Sequence, residues 1–252
     1  MLLVRSTPEM GVEVYMIRRN KGMKFLGGYY AFPGGKVDAA DADGESLARC
    51  RGLSAAEAEG VFDERDGPPA LAYWVTAVRE LPEETGILLA CDAEGRPVDV
   101  GAPTVAPLVD DVRKRLMAGQ PFAELLAEQG WVCDLRPLRY LSHFITPRTS
   151  PIRFSARFFL CPVPPGQAPR LYTEETSEGF WIPPAEGYRR FIASEMAMAE
   201  PAEYGLGYLA QFESLDDLWS AHDDGRHKFR GIIDRIDAFW QGFDWKENRW
   251  PS

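Results

Sequence analysis

Cysteine, histidine and long apolar runs are all scarce in this chain of 252 residues. The four cysteines, Cys50, Cys91, Cys133 and Cys161, include no C-x-x-C pair. That spacing carries none of the usual zinc or dithiol signatures and leaves free thiols of a reducing compartment as the expectation. The three histidines, His143, His222 and His227, stand in no zinc-ligand or triad-like spacing. His143 lies in an apolar run and is expected to be packed or hydrogen-bonded inside. No apolar run reaches the roughly 18 residues that a membrane helix needs. The first residues lack the basic and apolar regions of a signal peptide, so the expected location is cytoplasmic. Runs of Lys and Arg are missing too: 28 basic residues face 38 acidic ones, for a net charge of −10. This argues against nucleic acid and against an anionic membrane as partners. A small anionic substrate stays open, because a bound divalent cation reverses a local field.

What is present is an ordinary globular composition, 45% hydrophobic and 26% charged. Strand-like alternation opens the chain, with Val12, Val14 and Met16 against Glu13, Tyr15 and Ile17. A turn at Gly27-Gly28 leads to Tyr29-Tyr30-Ala31-Phe32 and then to Pro33-Gly34-Gly35. Residues 38–68, rich in Ala, Asp, Glu and Gly, read as short surface helices or loops. Pro68-Pro69 starts a helix expected over about Ala70 to Glu84, with Gly86 as its C-terminal cap. Residues 104–129 read as helical. Strands are expected from Leu138 to Ile145 and from Ile152 to Cys161, the second with Ile152, Phe154, Ala156, Phe158 and Leu160 on one face. A short strand follows at Glu178–Ile182, then a helix near 185–197, then helices and turns to Trp250. Strands and helices mix without regular βαβ alternation, so the expected class is α+β.

The helix at 70–84 is the informative element. At about 100° per residue, Leu71, Trp74, Val75, Val78 and Leu81 share one arc, and Glu80, Glu83 and Glu84 lie opposite. Three carboxylates on adjacent turns repel one another by a few tenths of a kcal/mol per pair. A divalent cation would reverse the sign, since carboxylate oxygens are the hard ligands magnesium takes at about 2.0–2.1 Å. The other reading of the same residues is a solvated acidic face. Pro82 among these glutamates is odd in either case, because proline inside a helix costs roughly 3 kcal/mol.

Pro33-Gly34-Gly35-Lys36-Val37-Asp38, taken with Arg79-Glu80-Leu81-Pro82-Glu83-Glu84-Thr85-Gly86-Ile87, resembles the signature box of the Nudix hydrolase family, G-x5-E-x7-R-E-U-x-E-E-x-G-U, where U is a bulky aliphatic. Gly35 takes its first position, and Arg79, Glu80, Leu81, Glu83, Glu84, Gly86 and Ile87 fill its second half. Asp41 stands where the first glutamate belongs. Between Asp41 and Arg79 lie 37 residues, 42 through 78, where the family has seven. A box split in this way resembles the branch of peroxisomal coenzyme A diphosphatases and their bacterial relatives.

The resemblance implies a Nudix fold, a mixed sheet in an α/β/α sandwich, spanning residues 1–195 with a helical insertion at about 42–69. Residues 196–252 would form a helical extension packed on the same domain. It implies Mg2+ or Mn2+ held by Glu80, Glu83 and Glu84 with the carbonyl of Gly34 or Gly35, and Arg79 orienting the carboxylates. Glu80 is the first candidate general base, with Glu174, Glu175 and Glu178 in reserve on a later acidic loop that is otherwise a solvated turn. The implied substrate is a nucleoside diphosphate joined to another group, with coenzyme A or its thioesters favoured and ADP-ribose or a nucleotide sugar as alternatives. A nucleotide-binding module without turnover is a further alternative. The upstream motif of the coenzyme A branch is matched in part, by Arg19 and Gly28, with Lys24 in place of its second arginine. Arg18, Arg19, Lys21, Lys24 and Arg148 are the candidate phosphate contacts, against a reading as ordinary surface charge. Tyr29, Tyr30, Phe144 and Trp181 are candidates to stack on a base. Tyr208, Leu209, Phe212, Leu215, Leu218 and Trp219 could form an extra layer, a lid or a dimer contact. A homodimer is an expectation from the resemblance alone.

Overall fold

A computed structural model describes residues 1–24, 26–62, 67–146, 154–174 and 176–224. The chain divides into two compact units: one holds Met1, 33–138 and 162–172, the other 2–32, 139–161 and the residues from 173 onward.

In the first unit a short 3-10 turn, Ala39–Ala42, is followed by α1 (Gly44–Ala48), β4 (Cys50–Arg51), α2 (Ala55–Val61) and α3 (Ala70–Thr85). Then come β5 (Ala90–Cys91), α4 (Ala106–Met117), α5 (Phe122–Glu128) and β6 (Val132–Asp134). The described residues of the box insertion therefore form helices and a strand. Ser54 caps α2 by accepting from Glu57 N–H, while Glu57 accepts in return from the Ser54 backbone, a reciprocal arrangement typical of S-x-x-E sequences. Strand β4 pairs in parallel with β6, and β5 pairs with β6 antiparallel. The expected helical stretch at 104–129 is two helices, because Gly119 with φ +89° and Pro121 separate α4 from α5. Phe62, after α2, stacks on Trp74 of α3 with ring centroids 4.8 Å apart.

In the second unit β1 (Leu2–Thr7), β2 (Gly11–Arg19), β3 (Tyr30–Ala31), β7 (Arg139–Ile145) and β8 (Ser155–Pro162) run side by side in the order β3-β2-β1-β8-β7. Strand β9 (Thr176–Ile182) also pairs antiparallel with β2. The helices among its described residues are α6 (Pro184–Ile192), α7 (Glu200–Leu209) and α8 (Leu215–Asp223). Helix α6 stops short of the expected residue 197, and Ser194 two residues later takes φ +60°. The core joins Leu2, Val4, Val14, Met16 and Leu160 of the sheet to Tyr188, Leu206, Tyr208, Leu209 and Leu218 of the helices. Phe212, Leu215 and Trp219 pack against it. Tyr208, Leu209, Phe212, Leu215, Leu218 and Trp219 thus belong to a helical layer on this unit's own sheet, and the helices expected up to Trp250 lie outside the described residues. The expected one-sided alternation breaks down: Ile152 lies outside the described residues and Phe154, just before β8, is exposed, while Phe159, Leu160 and Cys161 of β8 are all buried, so this end of the strand is covered on both faces. His143 is half-buried, and its Nε2 lies 2.7 Å from the Ser155 hydroxyl. All four cysteines are free thiols, and no helix among the described residues is long and apolar enough to cross a membrane.

Candidate active site

Helix α3 begins after Pro69 and ends at Gly86, whose φ of 71° is the left-handed cap that only glycine adopts without strain. Its apolar arc, Leu71, Trp74, Val75, Val78 and Leu81, is buried as expected. The acidic side is not the solvated face of the alternative reading: Glu80 is only 8% exposed and Arg79 only 6%. Buried polar side chains must be satisfied internally, and for Glu80 and Asp41 the main partner is Arg79.

Arg79 is the centre of the cluster. Its Nε donates to Asp41 Oδ1 at 2.9 Å and its Nη2 to Asp41 Oδ2 at 3.1 Å, a two-pronged pairing that suits the planar guanidinium. Nη1 meets Glu83 Oε1 at 2.6 Å, Nη2 meets Glu80 Oε1 at 2.8 Å, and Asp38 lies 3.7 Å away. The Lys36 carbonyl accepts a further bond at 2.9 Å. Asp41 itself is 2% exposed and also accepts from the Thr76 hydroxyl and the Asp38 N–H. Asp41, whose part the sequence leaves undecided, is thus turned to Arg79 and Thr76 across the long insertion.

The glycines of Pro33-Gly34-Gly35 follow from the same geometry. Gly34 has φ +147°, a region closed to most side chains, and its N–H donates to Glu84 Oε2 at 2.6 Å. A methyl on Gly35 would overlap the Glu80 carboxylate. The loop therefore lies directly on Glu80 and Glu84.

Four carboxylates, those of Asp38, Asp41, Glu80 and Glu83, surround one guanidinium within 4 Å. Burial pushes the Glu80 pKa up to about 7; Arg79 opposes the shift, and Glu83 and Asp41 add to it. Burial disfavours the charge on Arg79 as well, but the Asp41, Glu80 and Glu83 carboxylates outweigh it and raise that pKa further. Among the described residues no three acidic, histidine or cysteine side chains have their donors gathered around a metal position. The donor set nonetheless fits a hard divalent cation: carboxylate oxygens only, in excess over positive charge, on adjacent turns of one helix beside a bare glycine backbone.

The candidate phosphate contacts lie in the second unit. Arg18 pairs with Glu178 at 2.6 Å, donates to the Gly28 carbonyl and sits 5.1 Å from the Tyr30 ring centroid. Arg19 has its Nε buried without a hydrogen-bond partner, and Lys21 and Lys24 are exposed. Of the reserve bases, Glu178 is engaged by Arg18, and Glu174 is exposed with its carbonyl accepting from Asn20. Arg148 and Glu175 lie outside the described residues. Three of the stacking candidates already face neighbours: Tyr30 meets Phe180, Trp181 meets Tyr15 and Arg5, and Phe144 meets Phe158 and Tyr204. Sequence reasoning missed the Asp41–Thr76 bond and the Arg18–Glu178 pair. A threonine opposite the apolar arc, three residues before Arg79, was the only signal for the first; the second joins residues 160 apart and left none.

Residues 4–209 match the family model described as the NUDT19 Nudix domain. Acyl-coenzyme A diphosphatase NUDT19 of Gallus gallus is 28% identical over 250 residues, covering 84% of this chain and 65% of that protein. The Homo sapiens protein of the same name is 28% identical, with 85% and 64% covered. Putative nudix hydrolase 7 of Caenorhabditis elegans is 30% identical, with 81% and 57% covered. The chain thus spans less than two thirds of the length of these curated relatives. A crystal structure of a Nudix hydrolase from Alicyclobacillus acidocaldarius superposes with a TM-score of 0.70 at 34% identity, covering 87% of this chain and 92% of that one. With its split box folded around Arg79, its α+β architecture and a match over most of its length, the chain belongs to the Nudix hydrolase family, in the group defined by the NUDT19 Nudix domain.

Proposed function

We propose that the chain hydrolyses the diphosphate bond of a nucleoside diphosphate derivative in a reaction that needs Mg2+ or Mn2+, with coenzyme A or an acyl-coenzyme A as substrate. The observation that carries this is the excess of carboxylates over positive charge around Arg79, with Asp41 and Glu80 buried and Glu83 partly so. Such an excess is costly unless a cation offsets it. The names of the Gallus gallus and Homo sapiens relatives support the choice of substrate.

In this reading Glu80, Glu83 and Glu84, with the carbonyl of Gly35, hold the cation. Such an ion offsets phosphate charge and makes water a better nucleophile at neutral pH. Arg79, gripped by Asp41, fixes the Glu80 and Glu83 carboxylates, so their placement does not have to be found during turnover. Glu80 is the first candidate to accept the proton of the attacking water, being a buried carboxylate at the proposed cation site. Arg18, Arg19 and Lys24 supply positive charge for substrate phosphates. Hydrolysis of the diphosphate leaves two phosphomonoesters. The proposed setting is a cytoplasmic homodimer without nucleic acid or membrane partners, in keeping with the free thiols and the net charge of −10.

The test is turnover over a panel of coenzyme A, an acyl-coenzyme A, ADP-ribose, NADH and UDP-glucose, followed chromatographically with Mg2+, with Mn2+ and with EDTA. Metal-dependent cleavage, fastest on a coenzyme A compound, is the expected result. Nucleotide binding without turnover across the panel would replace this reading with that of a binding module.

A further inference from the structure

We infer that Arg113, on α4, is a positioning residue for the turn of α3 that carries Glu83 and Glu84; the inference rests on the metal-dependent reading above. The reasoning begins at Pro82, which lies inside α3. Lacking an N–H, it leaves the Val78 carbonyl without its helical donor, so the turn after it is tied to the rest of the helix by fewer bonds. That turn is also the last of the helix, where carbonyls have no donors of their own. The turn proposed to bind the cation is thus the one the backbone secures least.

Donors from elsewhere in the first unit make up the difference. Arg113 Nε donates to the Glu83 carbonyl at 3.1 Å. The Arg170 N–H donates to the Thr85 carbonyl at 2.8 Å, against 3.3 Å for the helix's own closing bond from Gly86 N–H to Pro82. The Arg170 side chain reaches back to Asp110 at 3.0 Å, one turn before Arg113 on α4. The Arg113 guanidinium lies 3.2 Å from the centre of the Tyr172 ring, a stack that limits its rotation. The Tyr172 hydroxyl in turn is the atom nearest the open side of Gly86. A cation at a helix C-terminus is itself favourable. Glu83 is consequently gripped twice, at its carbonyl by Arg113 and at its carboxylate by Arg79 at 2.6 Å.

Loosening the first grip should weaken cation binding without any change in substrate contacts. The test is Mn2+ binding to the full chain without substrate, read from the electron paramagnetic resonance signal of free Mn2+, with thermal unfolding recorded alongside. Arg113→Met should bind Mn2+ roughly tenfold more weakly, the lower end for residues that support metal ligands. Arg113→Lys, which keeps the charge and a donor but not the planar stack, should recover part of that loss. Tyr172→Leu should show a smaller shift in the same direction, and it carries the test by itself if Arg113→Met does not fold. Mn2+ affinity within twofold of the parent in Arg113→Met, with only a lower melting temperature, would overturn the inference and leave Arg113 a stabilising brace. A parent that binds no Mn2+ would refute the metal-dependent reading itself, and this inference with it.

Discussion

In the second unit Leu206, Tyr208 and Leu209 are fully buried among Leu2, Val14, Met16 and other apolar neighbours. In the first unit the second half of α3 buries Arg79 and Glu80 beside Asp41. The first arrangement gains from the removal of apolar surface from water and is indifferent to pH. The second spends that advantage on charges, which in a protein interior are held only by mutual pairing and are sensitive to pH and to cations. The contrast separates a core held by apolar burial from a cluster held by paired charges.

The sharpest way to break the contrast is Arg79→Met. Removing the guanidinium leaves the buried Asp41 and Glu80 carboxylates without a counter-charge, and urea denaturation should show a loss of about 3–5 kcal/mol. Leu206→Ala in the second unit should cost about 3 kcal/mol through lost burial and a residual cavity. That cost should be the same from pH 5 to pH 8, and turnover per folded molecule should be unchanged.

Glu80→Gln sharpens the comparison by its sign. Because the folded-state pKa of Glu80 is raised, mainly by burial, the protonated form is favoured by folding. Its stabilising effect is complete below about pH 4.3 and is lost as pH rises through about 7. In EDTA the Gln variant should therefore gain on the parent with rising pH, by at most about 4 kcal/mol above pH 7, while losing turnover. The smallest effect belongs to His222, whose ring is bonded to the Tyr140 carbonyl and whose pKa is lowered, mainly by burial. Folding favours its neutral form, so stability should fall as pH drops below about 6.5. Substitution of His222 by Asn should flatten that acid limb of the denaturation profile.

Much of the site could be read in the sequence because it sits on one helix with clear punctuation. Pro69 and Gly86 bound α3 to within a residue of expectation, and the identities of Arg79, Glu80, Glu83 and Glu84 carried the family resemblance. Burial of Glu80 could not be read, since a carboxylate opposite an apolar arc looks solvated until the elements that cover it are placed. The grip of Asp41 on Arg79 crosses 37 intervening residues, and spacing alone could not show which way Asp41 faces. Strands β4 and β5 have two residues each, too short for a period-two pattern. Arg113 gave no signal at all, because it meets a backbone carbonyl and a ring far away in sequence.

The most direct test of the account is the denaturation midpoint of the parent and of Glu83→Gln, each with excess Mg2+ and with EDTA at pH 7.5. A cation bound only by the folded chain should stabilise the parent, by about 2.7 kcal/mol when its concentration is 100 times the dissociation constant. The Gln variant should lose most of that increment. Equal midpoints for the parent with Mg2+ and with EDTA would contradict the claim that the buried carboxylates around Arg79 exist to hold a cation.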